Sequence, residues 1–530
     1  MNSTGEIGWS GGSVPDHDAD SWARAVHDVT SPVYIVQTDA GPGVVRDGAL
    51  STTPVHPLVA AAGPIDPGAL GSAAFREDYG LRGAYMAGAM AGGIASVDLV
   101  VALARAGYLG SYGAAGQLPD QVERSVQQIQ QAVPDRTFAV NLIHSPSESA
   151  LEEEVVDVLL RHGVRLVEAS AFLELTEPLV RYRLTGARDD GRGGVQLPNR
   201  VIAKVSRPET AALFLGPPPP RMIERLVARG ALTPQEGAFA ARIRMADDLT
   251  AEADSGGHTD RRPLLPLLSC LLDLRDRSGG DGPRARIGAA GGLGTPEAVA
   301  AAFAAGADYV VTGSVNQSCR ESGTSDRARR MLAAAGLADF VMAPAADMFE
   351  LGVELQVLRK GTMFPMRAAR LGAIYRACDG LDSLGPEDRE WLERVVLRAP
   401  VDEVWQSCVE YFTRRDPEQI VRAQGNPRRR MALVFRWYLG LASRWAVTGD
   451  EDRSEDYQLW AGPALGAFNL WVSGTPLADP ERRSAPVVAE LLLRGAAAVV
   501  RQVALRAQGA TQIPIRAAVL LEATEAVAAR

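Results

Sequence analysis

Lysine is nearly missing from this 530-residue chain: of 55 basic side chains only Lys204 and Lys360 are lysines. With the abundant alanine and glycine, this reads as a GC-rich coding bias, so a lysine retained inside an apolar stretch stands out. Cysteine is scarce as well. Cys270, Cys319, Cys378 and Cys408 lie far apart, with no CxxC and no zinc-ligand spacing, which excludes a disulfide framework and predicts reduced thiols. No stretch approaches the roughly 20 uninterrupted apolar residues that span a bilayer. The opening MNSTGEIGWSGGSVPDHDAD has neither the basic region nor the apolar core of a secretory signal, and a cytoplasmic protein is expected. Acidic residues outnumber basic ones, 64 to 55, for a net charge of −9. That argues against general binding to a nucleic-acid backbone. No GxGxxG opens a βαβ unit, which argues against a Rossmann dinucleotide domain.

What is present is ordinary for a globular protein: 46% hydrophobic and 22% charged residues, enough for two to four domains or one large barrel with additions. Residues 1–80 read as an extended N-terminal segment packed on a core, with one short strand, Ser31–Val36. From Gly83 a rhythm of short buried strands and amphipathic stretches begins. Eight strands are predicted: Ala84–Met90, Tyr108–Tyr112, Thr137–Leu142, Val164–Ser170, Arg200–Ser206, Leu249–Asp254, Arg286–Ala290 and Tyr309–Gly313. Helical patterns lie between them, at Val97–Ala106, Leu118–Val133, Ser147–His162, Leu173–Leu184 and Thr295–Ala305. The fold class expected is α/β, a (β/α)₈ barrel over 81–325, with a doubly wound open sheet as the alternative. The long crossover after the fifth strand, with its GPPPP turn at 216–220, predicts extra helices there.

After Ser314 the strand rhythm is expected to stop. Helices are predicted at Ser325–Ala335, Asp347–Arg359, Pro386–Leu397, Val401–Thr413 and Arg428–Ala446, an all-α subdomain over 326–480 in which six of the eight tryptophans concentrate. Ser484–Leu505 then reads as the last barrel helix, within a final segment 481–530, so that the α subdomain is inserted before it.

In such a barrel chemistry sits at the C-terminal ends of the strands, with phosphate favoured after strands seven and eight. The seventh strand runs into GAAGGLGT (288–295), where glycines let backbone N–H groups approach an anion and Thr295 can cap the next helix. The eighth runs into VTGSVN (311–316), a second small, donor-rich turn. The sixth ends in EADSGGHTD (252–260), where His258 is a candidate acid or base. Glu252, Asp254, His258 and Asp260 could also be read as metal ligands, but no other strand end offers a complementary cluster, and no metal is assigned. Lys204 sits between apolar residues on the fifth strand, a costly place for an ammonium without an anionic partner. Asn141 and His144 close the third strand; an asparagine amide can both donate to and accept from a flat heterocycle. The first strand ends in AGAMAGG (87–93), small enough for backbone to lie against a planar ring. Two phosphate-type turns and a planar polar ring in one barrel mouth point to flavin mononucleotide.

GAYMAGAMAGGIAS, FAVNLIHSPSE, GVRLVEASAFL, RVIAKVSRPE, EADSGGHTDRRPL, GAAGGLGTPEA, YVVTGSVNQ, MAPAADMFELGVELQVLRKGTMFPMRA and ALVFRWYLGLASRWA resemble the PfaD-type proteins, trans-acting enoyl reductases of polyunsaturated fatty acid and trans-acyltransferase polyketide synthases. The resemblance spans about residues 30–510. EADSGGHTD and AAGGLGT are also similar to the wider nitronate monooxygenase (2-nitropropane dioxygenase) superfamily, which has an FMN-bearing barrel with a helical substrate lobe. It implies FMN contacts from Ala89 and Met90 by backbone, from Asn141 and Lys204, and from Gly291, Gly292, Gly313 and Ser314 around the phosphate. His258 matches the superfamily's active-site histidine, with His144 a second candidate; Lys204 is assigned to the flavin charge. The family pattern has Asn where this chain has Gly92.

The activity implied is reduction of an enoyl thioester on an acyl carrier protein, with NADPH or NADH as hydride source. The partners implied are that carrier and the synthase modules, docking at Arg428–Arg430 or Arg359–Lys360, and the chain is a possible homo-oligomer. The alternatives are an oxygen-using nitronate oxidase, a carrier-binding scaffold without catalysis, and a flavin-free barrel acting on sugar phosphates.

Overall fold

The computed structural model describes residues 7–144, 149–279 and 284–513. At its centre is a closed barrel of eight parallel strands: β1 (Tyr85–Ala87), β2 (Leu109–Tyr112), β3 (Ala139–Ile143), β4 (Leu166–Ser170), β5 (Arg200–Val205), β6 (Asp248–Glu252), β7 (Arg286–Ala290) and β8 (Val310–Thr312). They pair in chain order and β8 returns to β1. Both faces of each strand are covered, which is why these segments read as continuous apolar runs. The expected open-sheet alternative does not form.

Strand period two sorts each strand's side chains. Met86, Leu109, Ala139, Leu166, Ile202 and Val311 fill the lower barrel, and Phe75 and Tyr79 of helix Ala73–Tyr79 plug its base. There Phe75 stacks on Tyr309 with ring centroids 4.2 Å apart. The charged residues that begin β6 and β7 also belong to this end. The Arg286 guanidinium bonds both oxygens of the fully buried Asp248, and Asp78 at 2.6 Å, while Tyr79 donates to Asp248. Burial pushes the Asp248 carboxyl up, against the pull of Arg286. This network pairs the buried Asp248 and lies at the end of a barrel that serves stability.

The eighth barrel helix is Ala485–Ala507, which packs between helices Pro296–Ala304 and Val97–Arg105. The chain between β8 and that helix is therefore an insertion, as expected. Its content differs from the expectation. Asp347–Arg359 is not a helix: Phe349–Leu351 makes one 3₁₀ turn, Gly352 adopts φ +70°, and Glu354–Leu358 is a strand paired antiparallel with Phe340–Pro344. Glycine ends the turn at no steric cost, and alternation in VELQVL favours a pleat over a helix. Strands thus continue beyond Ser314, and Gly257–His258 from the barrel loop joins the same sheet. Helices Phe364–Ala377, Val401–Arg415 and Pro427–Thr448 form a second core with Val357, Phe364 and Phe435 inside.

The N-terminal segment is also more structured than expected. Five antiparallel strands, Gly8–Ser10, Val33–Thr38, Gly41–Val45, Ala49–Ser51 and His56–Ala62, form a sheet against which helix Ala19–His27 packs. The buried Arg501 of the last barrel helix donates to the carbonyls of Asp28, Ser31 and Gly63 at 2.7–2.9 Å and fastens this sheet to the barrel.

Candidate active site

One layer above Leu166 and Ile202, two residues further along each strand, β4 and β5 turn Glu168 and Lys204 toward the barrel axis, and β3 does the same with Asn141. Lys204 Nζ lies 2.6 Å from Glu252 Oε1 of β6, both side chains largely enclosed. Burial opposes the ammonium charge, but Glu252 and then Glu168 outweigh it, and Lys204 is held above the ordinary lysine range. Glu168 is fully buried, and its Oε2 accepts the Ala89 N–H at 2.8 Å. Asn141 Nδ2 donates to the Glu168 carbonyl and to Ser170 Oγ, both at 3.0 Å. The mouth thus gathers Ala89, Asn141 and Lys204 around Glu168, a residue absent from the sequence-based expectations. Its signal is the one that singles out Lys204: a charge inside an apolar strand.

The Ala89–Met90 backbone is pinned from both sides. Glu168 holds the Ala89 N–H, and the Met90 carbonyl accepts from Ala95 N at 3.1 Å. Gly92 has φ +68° with open space where a side chain would begin. Asparagine is among the few residues that tolerate this conformation, so the asparagine of the family pattern is compatible with this backbone.

After β7, Gly291 (φ +90°) passes so close to Asp254 and Ala253 that a Cβ would lie 2.7–2.8 Å from their backbone atoms. Gly292 (φ +75°) faces open space, as does Gly313 after β8, where nothing lies within 4 Å of a Cβ. Thr295 caps helix Pro296–Ala304 by accepting the Ala298 N–H, and Ser314 opens a short helix directly after Gly313. Two open glycines on adjacent strand ends make a cradle that a side chain would fill, and they fit a phosphate.

The loop after β6 is clasped rather than left to a metal. Arg207 makes a two-pronged pair with Asp260 (2.8 and 3.0 Å), which also accepts the Ser206 hydroxyl at 2.6 Å. These donors push the Asp260 carboxyl down to about 2, Arg207 contributing most. Thr259 bonds Asp254 at 3.0 Å. With Glu252 on Lys204, the four residues of the metal reading have separate partners, and no group of three or more His, Cys, Asp or Glu is gathered among the described residues.

His258 stands on the Gly257–His258 strand, and its Nε2 lies 3.0 Å from Asp347 Oδ1. Burial works against its charge, but the bond and charge of Asp347, helped by Glu252, raise its pKa above the usual value. Asp347 carries no such signal in the sequence, where it falls at the start of an expected helix that does not form. His144 is committed differently: Nδ1 lies 2.8 Å from the buried Glu152, which also receives the Thr176 hydroxyl. This ties the end of β3 to helices Ser149–Arg161 and Glu177–Leu184.

The expected basic docking patches are largely engaged. Arg429 pairs with Glu350, Arg430 with Asp402 at 2.8 Å, and Lys360 donates to the Ala334 carbonyl at 2.6 Å. Arg428 is the freer of the three arginines, 3.8 Å from the exposed Asp379.

Comparison with known proteins supplies the lineage. Residues 84–372 match the nitronate monooxygenase family, and 378–457 match the inserted helical domain of [acyl-carrier-protein] S-malonyltransferase. The chain is 47% identical over 454 residues to a polyunsaturated fatty acid synthase polypeptide of Thraustochytrium sp., covering 84% of this chain and 30% of that protein. It is 40% identical over 437 residues to polyketide biosynthesis protein PksE of Bacillus subtilis, covering 82% and 57%. It therefore spans less than two thirds of either relative's length. Among solved structures, the enoyl reductase domain of MlnA from the macrolactin cluster of Bacillus amyloliquefaciens superposes with TM-score 0.78 at 37% identity, over 84% of this chain and 99% of that one. The family match takes in more than half of the chain, and the barrel with its helical insertion is the architecture it leads one to expect: the chain belongs to the nitronate monooxygenase family and is homologous to proteins of polyunsaturated fatty acid and polyketide synthesis.

Proposed function

We propose that this protein is an FMN-dependent enoyl reductase that uses NADPH or NADH to reduce the α,β-double bond of enoyl thioesters carried by an acyl carrier protein in polyketide or polyunsaturated fatty acid synthesis. The observation that carries the reading is the likeness to the MlnA enoyl reductase domain over its whole length, together with a barrel mouth whose glycines and polar side chains suit a flavin.

In this reading Gly291, Gly292, Gly313 and Ser314 hold the phosphate, the backbone at Ala89 and Met90 lies along the ring, and Asn141 meets its polar edge. FMN held by these residues would supply the hydride chemistry between nicotinamide and substrate. The protein's part is placement and charge. Lys204 offers a fixed cation where negative charge develops, two of its three N–H groups remaining beyond the bond to Glu252. His258, whose charged form Asp347 favours, polarises the thioester carbonyl or delivers the proton to Cα; His144 is the alternative donor. Residues 326–480 hold the acyl chain and its carrier, and the barrel occupies 81–325.

The test is an absorbance spectrum of the purified protein followed by anaerobic NADPH. Flavin bands that bleach, and return when an enoyl thioester is added without oxygen, are the expected result. A colourless protein that takes up no FMN overturns it. The match of 84–372 to nitronate monooxygenase favours a second reading, an oxygen-using oxidase, for which NADPH leaves the flavin oxidised while a nitronate drives oxygen uptake.

A further inference from the structure

Glu168 stands where the groups expected against the flavin meet. Its Oε2 accepts the Ala89 N–H at 2.8 Å and its carbonyl accepts the Asn141 amide at 3.0 Å. Its other carboxylate oxygen, Oε1, is buried with no hydrogen-bond partner. A Cβ placed on Gly88 would lie 3.4 Å from that oxygen, so the carboxylate reaches under the strand end that bears Ala89 and Met90. Burying a half-satisfied carboxylate is expensive, and an apolar side chain of similar size would serve packing better. The cost is understandable if both the reach and the charge of this group are used.

We propose that Glu168 is the positioning residue of the barrel mouth: one oxygen fixes the Ala89 peptide, and its charge counterpoises the Lys204 ammonium, so one side chain sets both the seat and the electrostatics of the cofactor. The proposal rests on the flavin reading above. It separates reach from charge, and two substitutions in the full-length holoprotein test them apart. Glu168→Gln keeps an oxygen for Ala89 but removes the charge. Reduced flavin carries more negative charge than oxidised flavin, so its midpoint potential rises, by about 30 mV for each tenfold shift of the two-electron equilibrium, with FMN affinity close to wild type. Glu168→Asp keeps the charge but withdraws from Ala89, so the FMN dissociation constant rises about tenfold while the potential stays put.

Variants that both keep wild-type potential and affinity overturn the role. So do variants that shift both quantities alike, as a packing defect would. Wild-type protein that binds no FMN overturns the flavin reading and this inference with it; flavin-binding wild type beside unmoved variants overturns the positioning role alone.

Discussion

Lys204 and His258 are charged for different reasons, and this separates their predicted behaviour. Lys204 depends on enclosed carboxylates. Replacing it with Met leaves Glu252 without its cation, and breaking a buried pair in this way costs about 3–5 kcal/mol. The expected outcome for Lys204→Met is a lowered unfolding midpoint and a loss of FMN affinity of at least about tenfold, read by flavin fluorescence titration. His258 depends on Asp347. Its folded pKa is raised above the ordinary value, so the protonated form persists to higher pH than in a free imidazole, and activity that needs it declines only as pH rises through that raised value. Asp347→Asn should move the alkaline limb of kcat to lower pH. His258→Ala should cut kcat by about 10²–10⁴ with FMN retained, the range for loss of a positioned acid; unchanged turnover would leave the proton to His144.

Single elements carry the next level of constraint. The loop after β6 bears His258 at one end of a two-pronged clasp between Arg207 and Asp260. Because the Asp260 carboxyl is pushed down to about 2 from an ordinary 3.8, the clasp's stabilisation is fully present above about pH 4 and is lost as pH falls toward 2. Hydrogen exchange of residues 253–262 on an acid titration should show this loop opening before the barrel. At the turn proposed to hold the phosphate, Gly313 has open space and no left-handed φ. Gly313→Ala should therefore fold yet lose FMN affinity, read by flavin fluorescence titration beside its melting temperature. An Ala at Gly292 is a less clean test, since its positive φ adds backbone strain of about 1 kcal/mol.

Across the whole molecule, apolar packing joins the N-terminal sheet to the last barrel helix, and a buried arginine anchors it. Arg501 holds the N-terminal sheet through backbone carbonyls alone. Arg501→Met should cost at least about 3 kcal/mol, because several buried acceptors lose their donor together; a lowered urea midpoint with faster hydrogen exchange confined to residues 25–63 would place the loss at this junction. Of the three arginines proposed to meet a carrier protein, Arg429 and Arg430 are engaged within the helical insertion. Arg428→Glu is accordingly the informative charge reversal. It should raise KM for carrier-bound enoyl thioester and leave KM for a free pantetheine thioester unchanged. No helix among the described residues is long and apolar enough to cross a membrane.

The alternation of buried strands and helices was legible from 84 to 313 because each parallel strand is covered on both faces and each helix on one, so local pattern and tertiary role coincide. The strand-end motifs were legible for the same reason: the fold places chemistry at fixed points of that alternation. The segment Asp347–Arg359 was misread as a helix because a short pleat needs a partner strand, and the partners of Glu354–Leu358 lie at Phe340–Pro344 and Gly257–His258. Glu168 escaped notice because nothing near it in sequence tells that its carboxylate meets Ala89 from 79 residues away. The sequence by itself determined which residues could bear charge and where the chain must turn, since these follow from side-chain chemistry and local periodicity. Only the tertiary structure decided which charges face one another, Lys204 with Glu252 and Glu168, and His258 with Asp347, because closing the barrel and folding the insertion over its mouth sets those distances.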